Sequence, residues 1–186
     1  MDAQIGRLLK GLDDRKLAAR TAVFFTSSQG QSLGSHGVVA KQTMYDEGIR
    51  VPLIVRLPGG KPRVVEHLVS HVDFFPTFCQ LAGVRAPEVE GRSLLPLLRG
   101  ENPRGWREEI FASFHSPGPS HQLSTRAIRT AGHKLILHLL TSEAQLFDLR
   151  ADPYEMTNRL DDPAAAAVKQ KLSAKLEAWR KQVPGR

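Results

Sequence analysis

The chain has 186 residues, 41% of them hydrophobic and 24% charged, which is ordinary for a globular protein of one domain or a domain with a small appendage. The formal net charge is +7, but Lys and Arg are scattered and do not alternate with aromatic residues, so no nucleic-acid partner is expected. A single cysteine, Cys79, excludes an internal disulfide.

The N-terminal stretch and the apolar runs bear on localisation. "MDAQIGRLLKGLDD" lacks the basic and apolar regions of an export signal. No apolar run approaches the roughly 18 residues that span a bilayer. The sequence therefore predicts no membrane partner, and a cytoplasmic protein if Met1 is the genuine start.

The first 108 residues begin with helical and strand-like patterns. Four apolar residues recur at helical spacing near the N-terminus, namely Ile5, Leu8, Leu9 and Leu12. The runs "TAVFFTS" and "VPLIVR" are apolar on both faces, which is typical of buried strands. Between them, residues 28–48 form a long glycine-rich loop of the kind that is usually functional. The polar start of this loop, "TSSQG", is typical either of a ligand-binding sheet edge or of an ordinary exit into a turn.

Two further helices are predicted before residue 108. "VSHVDFFPTFCQLAGV" predicts a short strand leading into a helix, with Asp73 as N-cap, Pro76 in the first turn and Gly83 at the C-terminal end. Cys79 in this helix is interpreted as a buried structural thiol. "EGRSLLPLLRG" predicts a short helix on the surface.

From residue 109 onward the pattern changes to short strands. "EIFASF", "STRAIRTA", "KLILHLL" and "AQLFDLR" are separated by turn residues and predict an antiparallel sheet. The C-terminal residues predict a helix capped by Asp162 with Pro163 at its first position. Its apolar stripe, which favours packing on the small sheet over binding a partner, comprises Val168, Leu172, Leu176, Trp179 and Val183.

Several of these stretches occur in an order that resembles the C-terminal half of a sulfatase, in the alkaline-phosphatase-like superfamily. The family pattern is Thr-Ser-Asp-Asn/His-Gly, Gly-x-His-Gly, a lysine and Tyr-Glu-x-x-x-Arg-Val-Pro. The chain has "TSSQG", "LGSHG" and "AKQTMYDEGIRVPLIV" in that order. Its "LFDLRADPYEMTNRL" resembles the closing Leu-Tyr-Asp-Leu-x-x-Asp-Pro-x-Glu-x-x-Asn-Leu of the family.

The resemblance implies a fold and a domain organisation. The expected fold class is α/β, with a partial alkaline-phosphatase-like sheet domain followed by a small antiparallel β-sheet and a C-terminal helix. Residues 1–108 would be the C-terminal portion of an incomplete sulfatase domain, and residues 109–186 a small α+β subdomain. The strands of the first part lack neighbours, so self-association through their exposed edges is possible.

The resemblance also implies site residues and a cofactor. Lys41 matches the lysine that contacts the sulfate, and His36 lies in the matching Gly-x-His-Gly, where a supporting or loop-packing role is favoured. Ser28 and Gln29 occupy the positions of two calcium ligands, but both are neutral here, so calcium binding is doubtful. His115 and His121 could line the substrate entrance, although such histidines are more often merely exposed.

The function that the resemblance implies is sulfuric ester hydrolysis on an anionic sulfate-ester substrate. Nothing in the chain resembles the family's nucleophile motif, because Cys79 lacks the required Pro and Arg spacing. The isolated chain is therefore expected to be inactive unless an N-terminal half completes it. Two alternatives stay open: a degenerate non-catalytic binding module, and a fragment of a related phosphate or phosphonate ester hydrolase.

Overall fold

The structure, a computed structural model, describes residues 1–39, 41, 43–115 and 124–182. It divides into two units, and each is described separately below. The first unit comprises Met1–Ser27 and Pro52–Trp106, and the second comprises Ser28–Val51 and Arg107–Arg186. The change of unit at residues 106 and 107 lies close to the boundary expected from sequence, whereas the segment Ser28–Val51 groups with the C-terminal residues. The domain bounds drawn from sequence stay a prediction.

The first unit begins with helix α1, Asp2–Asp14, as the apolar spacing predicted. Strands β1, Val23–Thr26, and β2, Leu53–Arg56, follow and pair antiparallel, with Phe24 opposite Val55. Among the residues described, this pair forms a sheet of two strands. Every residue of β1 is half-buried, while β2 alternates between half-buried and exposed residues. Ile54 of β2 is 63% exposed, so among the residues described β2 is not the fully buried strand that its composition predicted.

Helix α3, Phe74–Leu81, differs from its prediction at the N-terminal side. The expected short strand is instead a turn of 3-10 helix, His71–Asp73, and Ser70 is its N-cap. Asp73 occupies the N-cap position of α3, as predicted, but its side chain makes no cap bond to that helix. Instead its Oδ2 accepts a hydrogen bond from the Ser70 N–H, in the capping box of the 3-10 turn. Its Oδ1 accepts another from the Arg92 N–H, which explains why a fully buried carboxylate is tolerated.

The C-terminal end of α3 agrees with the sequence. Gly83 has a φ of +70°, and the Val84 N–H bonds the Cys79 carbonyl, as in a Schellman motif. Cys79 itself is half-buried rather than buried. Ring contacts join α3 to β1, with Phe24 and Phe78 edge to face at 5.0 Å.

Helix α4, Leu95–Arg99, forms where predicted, but its description as a surface helix was wrong. Leu95 and Leu97 are 1% and 2% exposed. The Leu94 N–H donates to Thr77 Oγ1, which ties the start of α4 to α3. A leucine-rich run of five residues has enough apolar surface to be buried on more than one side, which the periodicity of so short a helix does not reveal.

The second unit contains the predicted four-stranded antiparallel sheet in the order β3-β4-β5-β6. The strands are β3, Glu109–Phe114, β4, Thr125–Thr130, β5, His133–His138, and β6, Ala144–Asp148. Helix α5, Ala166–Gln182, follows a 3-10 turn, Pro163–Ala165. Asp162 Oδ1 accepts the Ala164 N–H at 2.8 Å, so the predicted cap is confirmed.

The small sheet buries both of its faces, and a different element covers each. Leu172 and Leu176 of α5 pack on one face, with partly buried Val168 and Trp179 beside them, as predicted; Val183 lies outside the described residues. The strand residues on this face are Ile128, Leu135 and Leu146. On the other face, their chain neighbours pack with Met44 of the segment Ser28–Val51, namely Ala127, Ile136 and Phe147.

Within the part of the chain that the structure describes, none of the helices has the length and hydropathy needed to cross a membrane.

Candidate functional site

The segment Ser28–Val51 follows β1 directly and folds back on itself within the second unit. The Gly30 N–H donates to the Gly48 carbonyl at 2.9 Å, and Ser32 Oγ lies 3.2 Å from Thr43 Oγ1. A Cβ on Gly30 would lie 1.8 Å from the Glu47 carbonyl oxygen, so this close approach needs a glycine. These contacts join the first arm of the segment, at Gly30 and Ser32, to the returning arm, at Gly48 and Thr43.

His36 packs inside this segment. Its imidazole stacks on the Tyr45 ring, with centroids 3.7 Å apart and planes 4° from parallel. Its Nε2 lies 3.5 Å from Glu47 Oε2, an ion pair when the ring is protonated, and its side chain is only 9% exposed. His36 has a φ of +56°, which is rare for a residue with a side chain. His36 is therefore packed against Tyr45 and Glu47 within the segment, and its assignment to the site stays a prediction.

The second arm of the segment is anchored on the sheet. Met44 is 5% exposed and packs on Ala127, Ile136 and Phe147. The Tyr45 hydroxyl exchanges hydrogen bonds with the Gln145 side chain of β6 at 3.0–3.2 Å. Tyr45 therefore links His36 of the segment to Gln145 of the sheet.

A buried ionic cluster lies at the start of helix α2, Asp46–Ile49. Lys134 of β5, whose side chain is fully buried, places Nζ 2.5 Å from Asp46 Oδ1 and 2.7 Å from Glu155 Oε1. Arg129 of β4 donates from Nε and Nη2 to the two oxygens of Asp46 at 3.1 Å. The Asp46 N–H also donates to Glu155 Oε2 at 2.5 Å. Two cations and two carboxylates thus neutralise one another inside the unit.

The two carboxylates of this cluster titrate in opposite directions. Burial raises the pKa of Asp46, but hydrogen bonds and positive charge from Arg129 and Lys134 outweigh it and hold that pKa below its ordinary value. Burial also raises the pKa of Glu155, and here the charge of Lys134 does not compensate, so the pKa stays above its ordinary value. Asp46 is therefore the firmly ionised member of the pair.

The predicted site residues are distributed along and beyond the segment. Ser28, Gln29 and Lys41 are on it, and their side chains are exposed. His115 directly follows β3 and is also exposed, whereas His121 lies outside the described residues. The segment thus carries Ser28, Gln29 and Lys41 at its surface and His36 within.

The donors present at the expected calcium positions do not fit that ion by themselves. Ser28 supplies a neutral hydroxyl and Gln29 a neutral amide, whereas calcium takes six to eight oxygens and favours carboxylates. In the described ranges, 1–39, 41, 43–115 and 124–182, no group of three or more His, Cys, Asp or Glu side chains could hold a metal ion.

Sequence reasoning missed the ionic cluster. Lys134 lies within a predicted strand, and its carboxylate partners Asp46 and Glu155 lie far from it along the chain. A signal was nevertheless present: Asp46 lies in "YDEGIRVP" and Glu155 in "DPYEMTNRL", two of the stretches that resemble the family pattern. An acidic residue in each of these stretches is a candidate partner for a lysine within the sheet.

Comparison with protein families gives one match that covers most of the chain. Residues 34–182 match the family model described as N-sulphoglucosamine sulphohydrolase, C-terminal. An N-acetylglucosamine-6-O-sulfatase of Bacteroides thetaiotaomicron is 36% identical over 190 residues, which is 98% of this chain and 34% of that protein. The chain thus spans about a third of the length of the curated relatives it matches.

Solved structures agree with this match. A protein bound to its substrate, D-glucosamine-2-N,6-O-disulfate, superposes with a TM-score of 0.84 at 34% identity, over 97% of this chain and 38% of that one. A phosphonate monoester hydrolase of Agrobacterium radiobacter superposes with a TM-score of 0.86 at 31% identity, over 97% and 39%. These likenesses bear out the predicted fold class.

Proposed function

Since this chain belongs to the sulfatase family, whose C-terminal part it matches, we propose that it supplies one side of the sulfate site of a sulfuric ester hydrolase. The observation that carries the proposal is the segment Ser28–Val51, anchored on the sheet with Lys41 exposed. The substrate class proposed is a sulfated sugar, because a relative is named for a sugar sulfate and a neighbour holds one.

In this proposal each residue of the segment has a limited task. Lys41 places an ammonium against the anionic sulfate group. Its positive charge stabilises the transition state more than the bound substrate, because the leaving oxygen develops negative charge there. His36 supports the backbone through its stack on Tyr45 and contact with Glu47. A calcium ion, where the family has one, would neutralise the sulfate; Ser28 and Gln29 offer it only neutral oxygens, so no step is assigned to it here.

The isolated chain is proposed to be catalytically incompetent. Its one cysteine lies half-buried on α3, in a stretch that does not match the family's nucleophile motif. Positioning and a lysine cannot replace a covalent route to sulfate transfer. The chemistry must then come from residues that this sequence does not include.

A chimaera tests the proposal. The C-terminal third of the N-acetylglucosamine-6-O-sulfatase relative would be replaced by this chain, and hydrolysis of an aryl sulfate measured. We expect turnover by the chimaera, none by the isolated chain, and a fall in kcat/KM on the order of a hundredfold with Lys41→Ala. Lys61→Ala, another exposed lysine, is the matched control and should change nothing. An active chimaera that is indifferent to Lys41→Ala would refute the role given to Lys41.

A second candidate is a phosphonate or phosphate ester hydrolase. It is favoured by the likeness to the phosphonate monoester hydrolase, which is as good as that to the sulfatases. The same chimaera can be assayed with an aryl phosphonate monoester. Because the nucleophile comes from the relative in both assays, a shift of the sulfate-to-phosphonate rate ratio toward phosphonate would be attributable to this chain.

A third candidate is a non-catalytic binding module. The neutral side chains of Ser28 and Gln29 favour it, since they weaken the expected metal site without altering the fold. An inactive chimaera that becomes active with Ser28→Asp and Gln29→Asn would support this candidate. Inactivity of both versions would remove the sulfatase proposal.

A further inference from the structure

We propose that Asp46, Lys134 and Glu155 form an ionic clamp, with Arg129 as its outer member, that sets the position of the segment Ser28–Val51 on the sheet. These are positioning residues. The consequence for substrate binding rests on the proposed function above, but the clamp itself does not.

The clamp joins three separate parts of the second unit. Lys134 comes from β5, Glu155 from the turn after β6, and Asp46 from the segment. Lys134 Nζ lies within 2.7 Å of both carboxylates, and Glu155 also accepts the Asp46 N–H. The hydrogen bond from the Asp46 N–H to Glu155 fixes the distance of the Asp46 backbone from the sheet. The contact with Lys134 fixes the orientation of the Asp46 side chain.

Burial explains why this group sets a position and does not merely add stability. Apolar contacts such as those of Met44 are non-directional and tolerate small shifts. Moving the Lys134 ammonium away from its carboxylates costs far more free energy, because solvent does not reach it and it would be left buried, charged and unpaired. One position of the segment on the sheet is therefore strongly favoured over others.

The same burial excludes a direct catalytic role for the clamp. The side chain of Lys134 is fully buried and that of Glu155 is 1% exposed, so neither can touch a substrate. Their influence on Lys41 passes through the backbone from Asp46 and through the contacts that Tyr45 and His36 make within the segment.

The position of the segment can be measured directly in the full chain. Nitroxide labels at Val39→Cys and Leu140→Cys, in a Cys79→Ser background, would report the distance between the segment and the β5–β6 turn; both sites are more than half exposed. In the otherwise unchanged chain we expect one narrow distance distribution. Lys134→Met, which keeps the length of the side chain but removes its charge, should split that distribution or widen it at least about twofold.

Matched variants separate positioning from stability. Lys175→Met removes a partly exposed pair with Glu109, 2.7 Å apart in the same unit, and should leave the distribution narrow. Glu155→Gln keeps the pair between Lys134 and Asp46 and should widen the distribution less than Lys134→Met. A narrow, unshifted distribution in a folded Lys134→Met chain would overturn the proposal. Loss of folding in both clamp variants would also overturn it, because the cluster would then hold the whole unit together.

The proposed function can fail without the clamp failing. The distance measurement needs no substrate, so widening by Lys134→Met stands whether or not the chimaera is active. If the chimaera hydrolyses aryl sulfate, Lys134→Met should raise its KM and lower its kcat, and Lys175→Met should not. Suppose instead that Lys134→Met widens the distance distribution but leaves KM and kcat of the chimaera unchanged. The clamp would then position the segment without affecting the sulfate site.

Discussion

Asp46 and Glu155 share one ammonium and one backbone hydrogen bond although they lie 109 positions apart in the chain. Their pKa values nevertheless move in opposite directions from the ordinary ones, down for Asp46 and up for Glu155. Each shift makes the free energy of unfolding depend on pH, and the two dependences have opposite signs.

The first prediction concerns this pH dependence. Asp46 contributes stability that is present above its ordinary pKa of 3.8 and is lost as pH falls through its lower folded value. Glu155 contributes stability that is present below its ordinary pKa of 4.5 and is lost as pH rises through its higher folded value. Asp46→Asn should therefore reduce the fall in the free energy of unfolding as pH drops below 3.8. Glu155→Gln should reduce the fall in that free energy as pH rises above 4.5.

Urea unfolding from about pH 3 to pH 8 measures both slopes. A Trp106→Phe background leaves Trp179 as the single tryptophan, so its fluorescence reports on the second unit. Asp161→Asn, an exposed neighbour of the helix cap, serves as control and should leave the profile unchanged. A profile for Glu155→Gln that matches the parent above pH 4.5 would contradict the direction assigned to Glu155.

The second prediction restores the expected metal ligands. Ser28→Asp with Gln29→Asn adds one carboxylate and shortens the reach of the amide by one methylene. We expect no calcium binding by the isolated double variant, because two residues cannot supply six to eight oxygens. In the chimaera the same substitutions should produce calcium binding that is detectable by calorimetry. Equal tight binding by the parent chimaera would mean that Ser28 and Gln29 already serve as ligands.

The third prediction concerns self-association of the first unit. Ile54 on β2 and Phe75 on α3 are 63% and 52% exposed, so both apolar side chains are accessible to a second copy of the chain. Ile54→Thr with Phe75→Ser should lower the weight-average mass seen by sedimentation at a given concentration. Val64→Thr, at a residue 85% exposed, is the control for a general change in hydropathy. Equal masses for all three chains would show that these side chains do not mediate association.

The fourth prediction tests the cap of α5. Asp162 accepts the Ala164 N–H and also pairs with Arg159. Asp162→Ala should lower the free energy of unfolding of the second unit, mostly through the lost cap, because the exposed pair with Arg159 contributes little. Asp161→Ala, next to it and exposed, should have little effect. The Trp179 fluorescence transition measures both, and equal losses would argue against a specific cap.

Local patterns were sufficient to predict most of the elements. The four strands from residue 109 onward are short strand-like runs separated by turn residues, and α5 carries both its cap and its apolar stripe. Such features depend on neighbours within a few residues. Ser70 was missed as a cap because Asp73, closer to the apolar run, was an equally good candidate by residue type.

The candidate site was less predictable because its supports are far apart in sequence. Lys41 and His36 were found through the family pattern alone. The contacts that hold their segment, from Lys134 to Asp46 and Glu155, span 88 and 21 positions, and no periodicity links such residues. Burial of a lysine is also rare enough that a sequence reading assigns it to the surface.

The tight approach of Gly30 to the Glu47 carbonyl limits how this loop can vary over evolutionary time. Any other side chain at position 30 would displace the returning arm, so a random library should recover glycine alone there. Ser28 and Gln29, which directly precede this glycine, are exposed. The course of this loop therefore depends on glycine at position 30, and the exposed residues at the start of the loop can change while that close approach is kept.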